Sequence, residues 1–162
     1  MSTETQQLFA RVERVLGRID FDPCSSDVKN RIVQVKEYLT YVEGLRGPWP
    51  PNVSIWLDPP RESLNGMTRD SMFWSRLMKH RSDGLLKHAI YLKRGGLVPD
   101  TLEQPYQFLS CFVKRKPQRY FIPSYRAEFQ LVYVPGLIDN TSGFIKAFQD
   151  FGDLLQPIKE LV

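Results

Sequence analysis

Residues 54–60, Ser-Ile-Trp-Leu-Asp-Pro-Pro, constrain the fold more than any other stretch of the chain. A short apolar run that stops at an acid and two prolines reads as a buried strand ending in a fixed turn, because proline sets φ and has no N–H to continue a ladder or a helix. The residue before each proline is held out of the helical region as well. The carbonyls of Asp58 and Pro59 therefore stay free to accept hydrogen bonds, beside the Asp58 carboxylate. Acceptors clustered in this way suit an exocyclic amine, which carries two N–H donors. A strand closed by a proline turn with no further role has the same sequence, so the neighbouring motifs must decide. Arg61 and Glu62 follow the prolines, where a glycine would give the chain more freedom.

Around this strand the apolar pattern alternates between helix and strand. Leu8, Val12, Val15 and Leu16 recur at helical spacing over residues 6–16, and Gly17 is placed to end that helix. Strands are expected over residues 18–21, 32–39 and 53–57, with a Gly- and Pro-rich loop over 44–52. Thr68 can cap a helix through Lys79, and residues 86–92 read as a buried strand. Further strands are expected over residues 109–113, 120–122 and 129–134, then a helix over 142–150 closed by Gly152. At 162 residues this is one domain with enough chain for an ordinary core. The pattern predicts an α/β fold, a mostly parallel sheet flanked by helices, with ligands at the carboxyl ends of the strands.

Composition sets broad limits. Lys and Arg number 22 against 18 Asp and Glu, and the net charge of +4 permits a polyanionic partner without requiring one. Cys24 and Cys111 stand far apart with no C-x-x-C spacing, so neither a zinc site nor a disulfide framework is expected, and a reducing compartment is the default. No basic segment leads into an apolar one at the N-terminus, and no apolar run has membrane-spanning length. A soluble protein of the cytoplasm, with no membrane or metal partner, is the expectation. His80 and His88 lack acidic or cysteine partners at ligand spacing, and Trp49, Trp56 and Trp74 read as packing residues.

A second acidic turn lies upstream. Asp20-Phe21-Asp22-Pro23-Cys24-Ser25-Ser26 brings two carboxylates and two hydroxyls to the end of the first strand, which places them beside Asp58 if both strands are parallel. Such an edge can hold a nucleoside, since carboxylates accept from ribose hydroxyls and from an ammonium. It lacks the glycines and lysine of a phosphate-binding loop. The same turn also reads as a helix cap or a solvated loop.

In order along the chain, Arg14-Val-Leu-Gly-Arg-Ile-Asp-Phe-Asp-Pro-Cys-Ser-Ser26, Asn30-Arg31, Tyr38-Leu39-Thr40, Glu43-Gly44-Leu45, Pro48-Trp49-Pro50 and Asp58-Pro59-Pro60 resemble the phage-type DNA N-6-adenine methyltransferases. Residues 111–121, 129–134 and 144–152 look like that family's basic strand pair, closing strand and closing helix, so nearly the whole chain takes part. The resemblance implies a Rossmann-like methyltransferase fold, S-adenosylmethionine as donor, adenine in double-stranded DNA as acceptor, and no metal. It implies that Asp58 and the carbonyl of Pro59, rigidified by Pro60, orient the amine of a flipped adenine. Asp20, Asp22, Pro23 and Ser25, with Glu43, would hold the donor. Transfer then needs orientation above all: the nitrogen in line with the methyl–sulfur bond in a dry pocket. Arg61 stands where the family has an aromatic that stacks on the base. The family's aromatic-Thr-Pro segment before the first helix is absent, and Lys93-Arg94-Gly95-Gly96 replaces its Pro-x-Arg-Thr segment. These departures motivate the alternative, a catalytically inactive methyltransferase-like protein that binds DNA or another protein.

Lys114, Arg115, Lys116 and Arg119 interleave with Phe112, Tyr120, Phe121 and Tyr125. Cations for phosphates beside flat faces for a displaced base form a nucleic-acid signature, and Tyr120 belongs to it. A solvated basic loop whose aromatics are core has the same composition.

Overall fold

In the computed structural model, residues 4–60, 63–64, 67–94, 104–113 and 129–157 are described. Among the described residues, five α-helices and nine strands follow one another as α1 Glu4–Leu16, β1 Phe21–Asp22, α2 Asp27–Val33, β2 Glu37–Tyr38, α3 Tyr41–Arg46, β3 Val53–Leu57, β4 Ser63–Leu64, β5 Met67–Thr68, α4 Arg69–Ser82, β6 Leu86–Lys93, β7 Ser110–Val113, β8 Phe129–Pro135, α5 Thr141–Phe148 and β9 Asp153–Leu155. Strands β4 and β5 form a separate two-stranded ribbon, and the other seven form one sheet in the order β2-β1-β3-β6-β8-β7-β9. β2, β1, β3 and β6 run parallel, whereas β8, β7 and β9 are joined by antiparallel pairings. The α/β expectation holds, and the sheet is mixed: parallel in one half and antiparallel in the other.

Helices cover both faces because the central strands alternate buried side chains to each. Trp56 of β3, Ile90 and Leu92 of β6, and Leu131 and Tyr133 of β8 join a core with Leu8, Val12 and Val15 of α1 and Phe144 and Phe148 of α5. Their strand neighbours Ile55, Leu57, Ala89, Tyr91, Val132 and Val134 join the opposite core with Phe73, Trp74 and Leu77 of α4. This is the period-2 alternation of a sheet buried on both sides, which in sequence gives near-continuous apolar runs such as residues 53–57.

Several expected boundaries move. The strand expected over 18–21 begins only at Phe21, because the Asp20 carboxylate takes the Ser54 N–H at 2.9 Å and replaces a ladder bond. The strand expected over 32–39 divides. Ser26 accepts from the Lys29 N–H at 3.1 Å and caps α2 through Val33, leaving Glu37–Tyr38 as β2. The loop expected over 44–52 begins inside α3, where a Cβ on Gly44 would lie 1.7 Å from the Pro23 carbonyl oxygen. Helix α3 thus packs directly on the turn after β1, and only glycine fits there. Gly152 does not close a helix, since α5 ends at Phe148. A Cβ on Gly152 would lie 2.4 Å from the Phe112 carbonyl oxygen, a close approach that lets β9 pair with β7. The strand expected over 120–122 lies outside the described residues.

Residues 53–57 match β3, and Gly17 ends α1 at φ +71° with its N–H on the Glu13 carbonyl at 2.8 Å. Trp56 and Trp74 are fully buried and Trp49 nearly so, in keeping with packing roles. Both histidines are buried and bonded: His80 Nε2 to the Pro50 carbonyl at 3.0 Å, and His88 Nδ1 to the Tyr133 hydroxyl at 2.8 Å. No helix among the described residues is long and apolar enough to cross a membrane. No group of three or more His, Cys, Asp or Glu side chains among them is placed to hold a metal ion.

Candidate functional site

The chain leaves β1 toward one side of the sheet, to β2, and later reaches β3 and β6 on the other side. Between β1 and β3 the strand order reverses, and in parallel sheets the crevice beyond the carboxyl ends of the strands at such a point is the usual ligand position. Asp22 is the last residue of β1, and Asp58 follows the last residue of β3. The fold thus brings the two acidic motifs to the two sides of one crevice.

Asp22 is wholly buried. Its Oδ1 accepts the Cys24 N–H at 3.0 Å, while Oδ2 has no hydrogen-bond partner among the described residues. Burial pushes its carboxyl up to about 6, with the Lys29 charge opposing that rise. The turn that follows is fixed by the backbone: Leu39 N donates to the Asp22 carbonyl at 2.9 Å, and Ser25 N donates to the Leu39 carbonyl at 2.8 Å. Pro23 and Ser25 are buried in that turn. Cys24 beside them is buried too, and burial holds its thiol well above the ordinary range.

Asp58 carries the densest bonding in the crevice. Its Oδ1 accepts from Arg94 Nη2 at 2.5 Å, and Arg94 Nη1 donates to the Pro59 carbonyl at 2.8 Å. The Asp58 and Arg94 side chains are 4% and 8% exposed, so this is a buried ion pair. Lys29 Nζ reaches in from α2 and donates to the Asp58 carbonyl at 3.0 Å and the Cys24 carbonyl at 3.0 Å, 3.3 Å from Asp58 Oδ2. Burial alone would lower the pKa of the Lys29 ammonium, but the Asp58 and Asp22 charges outweigh it and hold the value above the ordinary one. The acceptors that the double proline releases from secondary structure are therefore taken up by two cations of the same chain.

A third carboxylate completes the cluster. Asp70 sits in the first turn of α4, accepts from the Tyr91 hydroxyl, and lies within electrostatic reach of Lys93, Arg94 and Asp58. Burial raises its pKa and raises that of Tyr91 well above the ordinary phenol. Sequence reasoning missed Lys29, Arg94, Asp70 and Tyr91 as members of the site.

Two expected donor-site residues are engaged elsewhere. Asp20 accepts from Ser54 N and lies 3.8 Å from Lys87 Nζ, toward the amino-terminal starts of β3 and β6. It does not join Asp22 at the crevice. Glu43 is exposed, and its Oε1 accepts from the Thr40 hydroxyl at 2.8 Å and the Thr40 N–H at 3.2 Å; these bonds lower its pKa. It caps α3. Pro60 is half-buried beyond Pro59. Arg61 lies outside the described residues, as do Lys114, Arg115, Lys116, Arg119 and Tyr120.

No family model matches this chain, and no curated protein or solved structure matches it. The site is read from its own geometry.

Proposed function

We propose that this protein is an S-adenosylmethionine-dependent methyltransferase of Rossmann-like fold that acts on the N6 amine of adenine in DNA. One observation carries the reading. A buried carboxylate oxygen, Asp22 Oδ2, has no hydrogen-bond partner among the described residues and stands at the end of β1, beside β3 with its Asp-Pro-Pro motif, where the strand order reverses. An acceptor left without a donor in the apoprotein fits a donor methionine ammonium or ribose hydroxyl, and Asp22, with the Pro23–Ser25 turn, is the group that would hold it. When bound, S-adenosylmethionine supplies an electrophilic methyl group. The residues of the chain supply position: Asp58 Oδ1 and the Pro59 carbonyl form a pair of acceptors that fixes a planar N–H donor, as their hold on Arg94 illustrates. No acid or base is required to start transfer, since the amine's lone pair attacks and its proton leaves afterwards. The Lys114–Arg119 segment would bind the phosphates of the duplex.

Calorimetry with S-adenosylmethionine tests the reading first, and tritium transfer into adenine-containing duplexes tests it second. A chain that binds no S-adenosylmethionine is no methyltransferase. The saturation of Asp58 and Pro59 by Arg94 and Lys29 favours a second reading, an inactive methyltransferase-like protein that binds DNA or another protein. Cofactor binding without any transfer to any adenine substrate would support it.

A further inference from the structure

We propose that Arg94 is an internal stand-in for the acceptor amine: its guanidinium occupies the Asp58–Pro59 pair in the resting protein, and the amine of a base is accepted there only when Arg94 withdraws. The inference rests on the reading above, which assigns that acceptor pair to the adenine amine.

The chemistry of the contact is that of the expected substrate. A guanidinium and an adenine amine are both planar N–H donors. Arg94 presents two nitrogens to two acceptors, 2.5 Å to Asp58 Oδ1 and 2.8 Å to the Pro59 carbonyl. With Arg94 6% and Asp58 5% exposed, the contact is nearly closed to solvent. Amine and arginine therefore compete for the same two acceptors.

A neighbouring cation makes the contact reversible. Lys29 donates to the Asp58 carbonyl and lies 3.3 Å from Asp58 Oδ2, so the buried carboxylate keeps a cation when Arg94 leaves. A lone buried pair would not separate in this way, because parting it strands an uncompensated charge. Asp70, on the first turn of α4, accepts from the Tyr91 hydroxyl at the same edge of the sheet. Arg94 on Asp58 is the closed state, and Arg94 withdrawn from it is the open one. The closed population lowers the apparent affinity for the amine by the fraction of molecules that are open.

The test uses oligothymidylate carrying one deoxyadenosine, against the same strand carrying purine deoxyriboside, which lacks the amine. Single strands avoid the cost of unstacking a duplex. Affinities come from fluorescence anisotropy at fixed salt. The readout is the ratio between the two strands, because loss of a cation weakens phosphate attraction equally for both. Arg94→Ala should raise the preference for the amine about tenfold or more. An unchanged ratio overturns the proposal. Side-chain NMR of 15N-arginine-labelled wild type, with the Arg94 signal assigned through Arg94→Lys, serves if Arg94→Ala does not fold. The signal should shift under the deoxyadenosine strand and not under the purine strand, and a signal that stays put under saturating deoxyadenosine strand overturns the idea. S-adenosylmethionine calorimetry on the same samples separates the two readings: a raised ratio without cofactor binding keeps the gate and removes methyl transfer.

Discussion

Replacing Asp22 with asparagine should flatten the pH dependence of stability and make the protein more stable at neutral pH. Asp22 is wholly buried at the end of β1, and burial raises its pKa from 3.8 to about 6. The folded chain therefore binds this proton more tightly than the unfolded chain does. Between pH 4 and 6 the unfolded state has released a proton that the native state still holds, so stability falls as pH rises through that window, and above about 6 the loss is complete. A rise from 3.8 to about 6 is worth roughly 3 kcal/mol, at about 1.4 kcal/mol for each tenfold. The amide oxygen of the asparagine would still accept the Cys24 N–H, and the side chain carries no charge to desolvate. Urea unfolding from pH 4 to 8, followed by the fluorescence of the buried tryptophans, gives both curves, and their difference isolates Asp22 from every other titrating group. Wild type should lose about 3 kcal/mol against Asp22→Asn between pH 4 and 7. Parallel curves, or a wild type that gains on the variant as pH rises, would refute a buried carboxylate whose desolvation outweighs the Lys29 charge and the Cys24 hydrogen bond. A ligand that donates to Oδ2 lowers the carboxyl pKa in its complex, so it should bind wild type more tightly at pH 7 than at pH 5.

Gly44→Ala should destabilise by about 2 kcal/mol or more, read as a lower urea midpoint, because its Cβ would meet the Pro23 carbonyl, a backbone atom with nowhere to go. Asp58→Ala strands the buried Arg94 and removes a carboxylate from the half-buried Lys29, so it should cost about 3–5 kcal/mol of stability and, on the methyltransferase reading, abolish methyl transfer; a mild loss would mean that solvent reaches Arg94. Changing Lys114, Arg115, Lys116 and Arg119 together to Ala should reduce the slope of log affinity against log salt by about three to four, and an unchanged slope would make that segment a solvated loop. On the methyltransferase reading, Arg61→Tyr should speed methyl transfer by supplying a stacking face, and a slower variant would make Arg61 a working base contact.

How much of the fold was legible depended on where apolar periodicity was long. Residues 53–57, 86–92 and 129–134 are strands buried on both faces, and such runs announce themselves. Helices α1 and α4 carry clear faces over three turns or more. The short elements did not show. α2 has a single buried residue, Val33, and β1 and β2 are two residues each, too short for any period to register. The one local signal for α2 was Ser26 followed by Asp27, a hydroxyl cap with an acid in the first turn. Gly44 and Gly152 read in sequence as sites of backbone freedom, whereas the structure uses both for close approach, which only the partner backbone can reveal.

The site was half legible for a related reason. Asp58, Pro59 and Pro60 lie on one strand end, and a proline pair leaves its mark in the sequence. Their partners come from elsewhere: Lys29 is 29 residues away and Arg94 is 36. No local pattern links them, and only the sheet order does. Once β6 is known to lie beside β3 with Tyr91 level with Leu57, the residues after each strand share one edge, and an arginine just beyond β6 must lie near the Asp-Pro-Pro turn. The cap on α2 does the same for Lys29, turning the first turn of that helix back over the ends of β1 and β3. Acceptors released by proline do not stay empty in a buried crevice, because an unpaired carboxylate and carbonyl there would cost several kcal/mol. At Asp58 the folded chain supplies those donors from Arg94 and Lys29, whereas at Asp22 it supplies the Cys24 N–H to Oδ1 and no hydrogen bond to Oδ2 among the described residues.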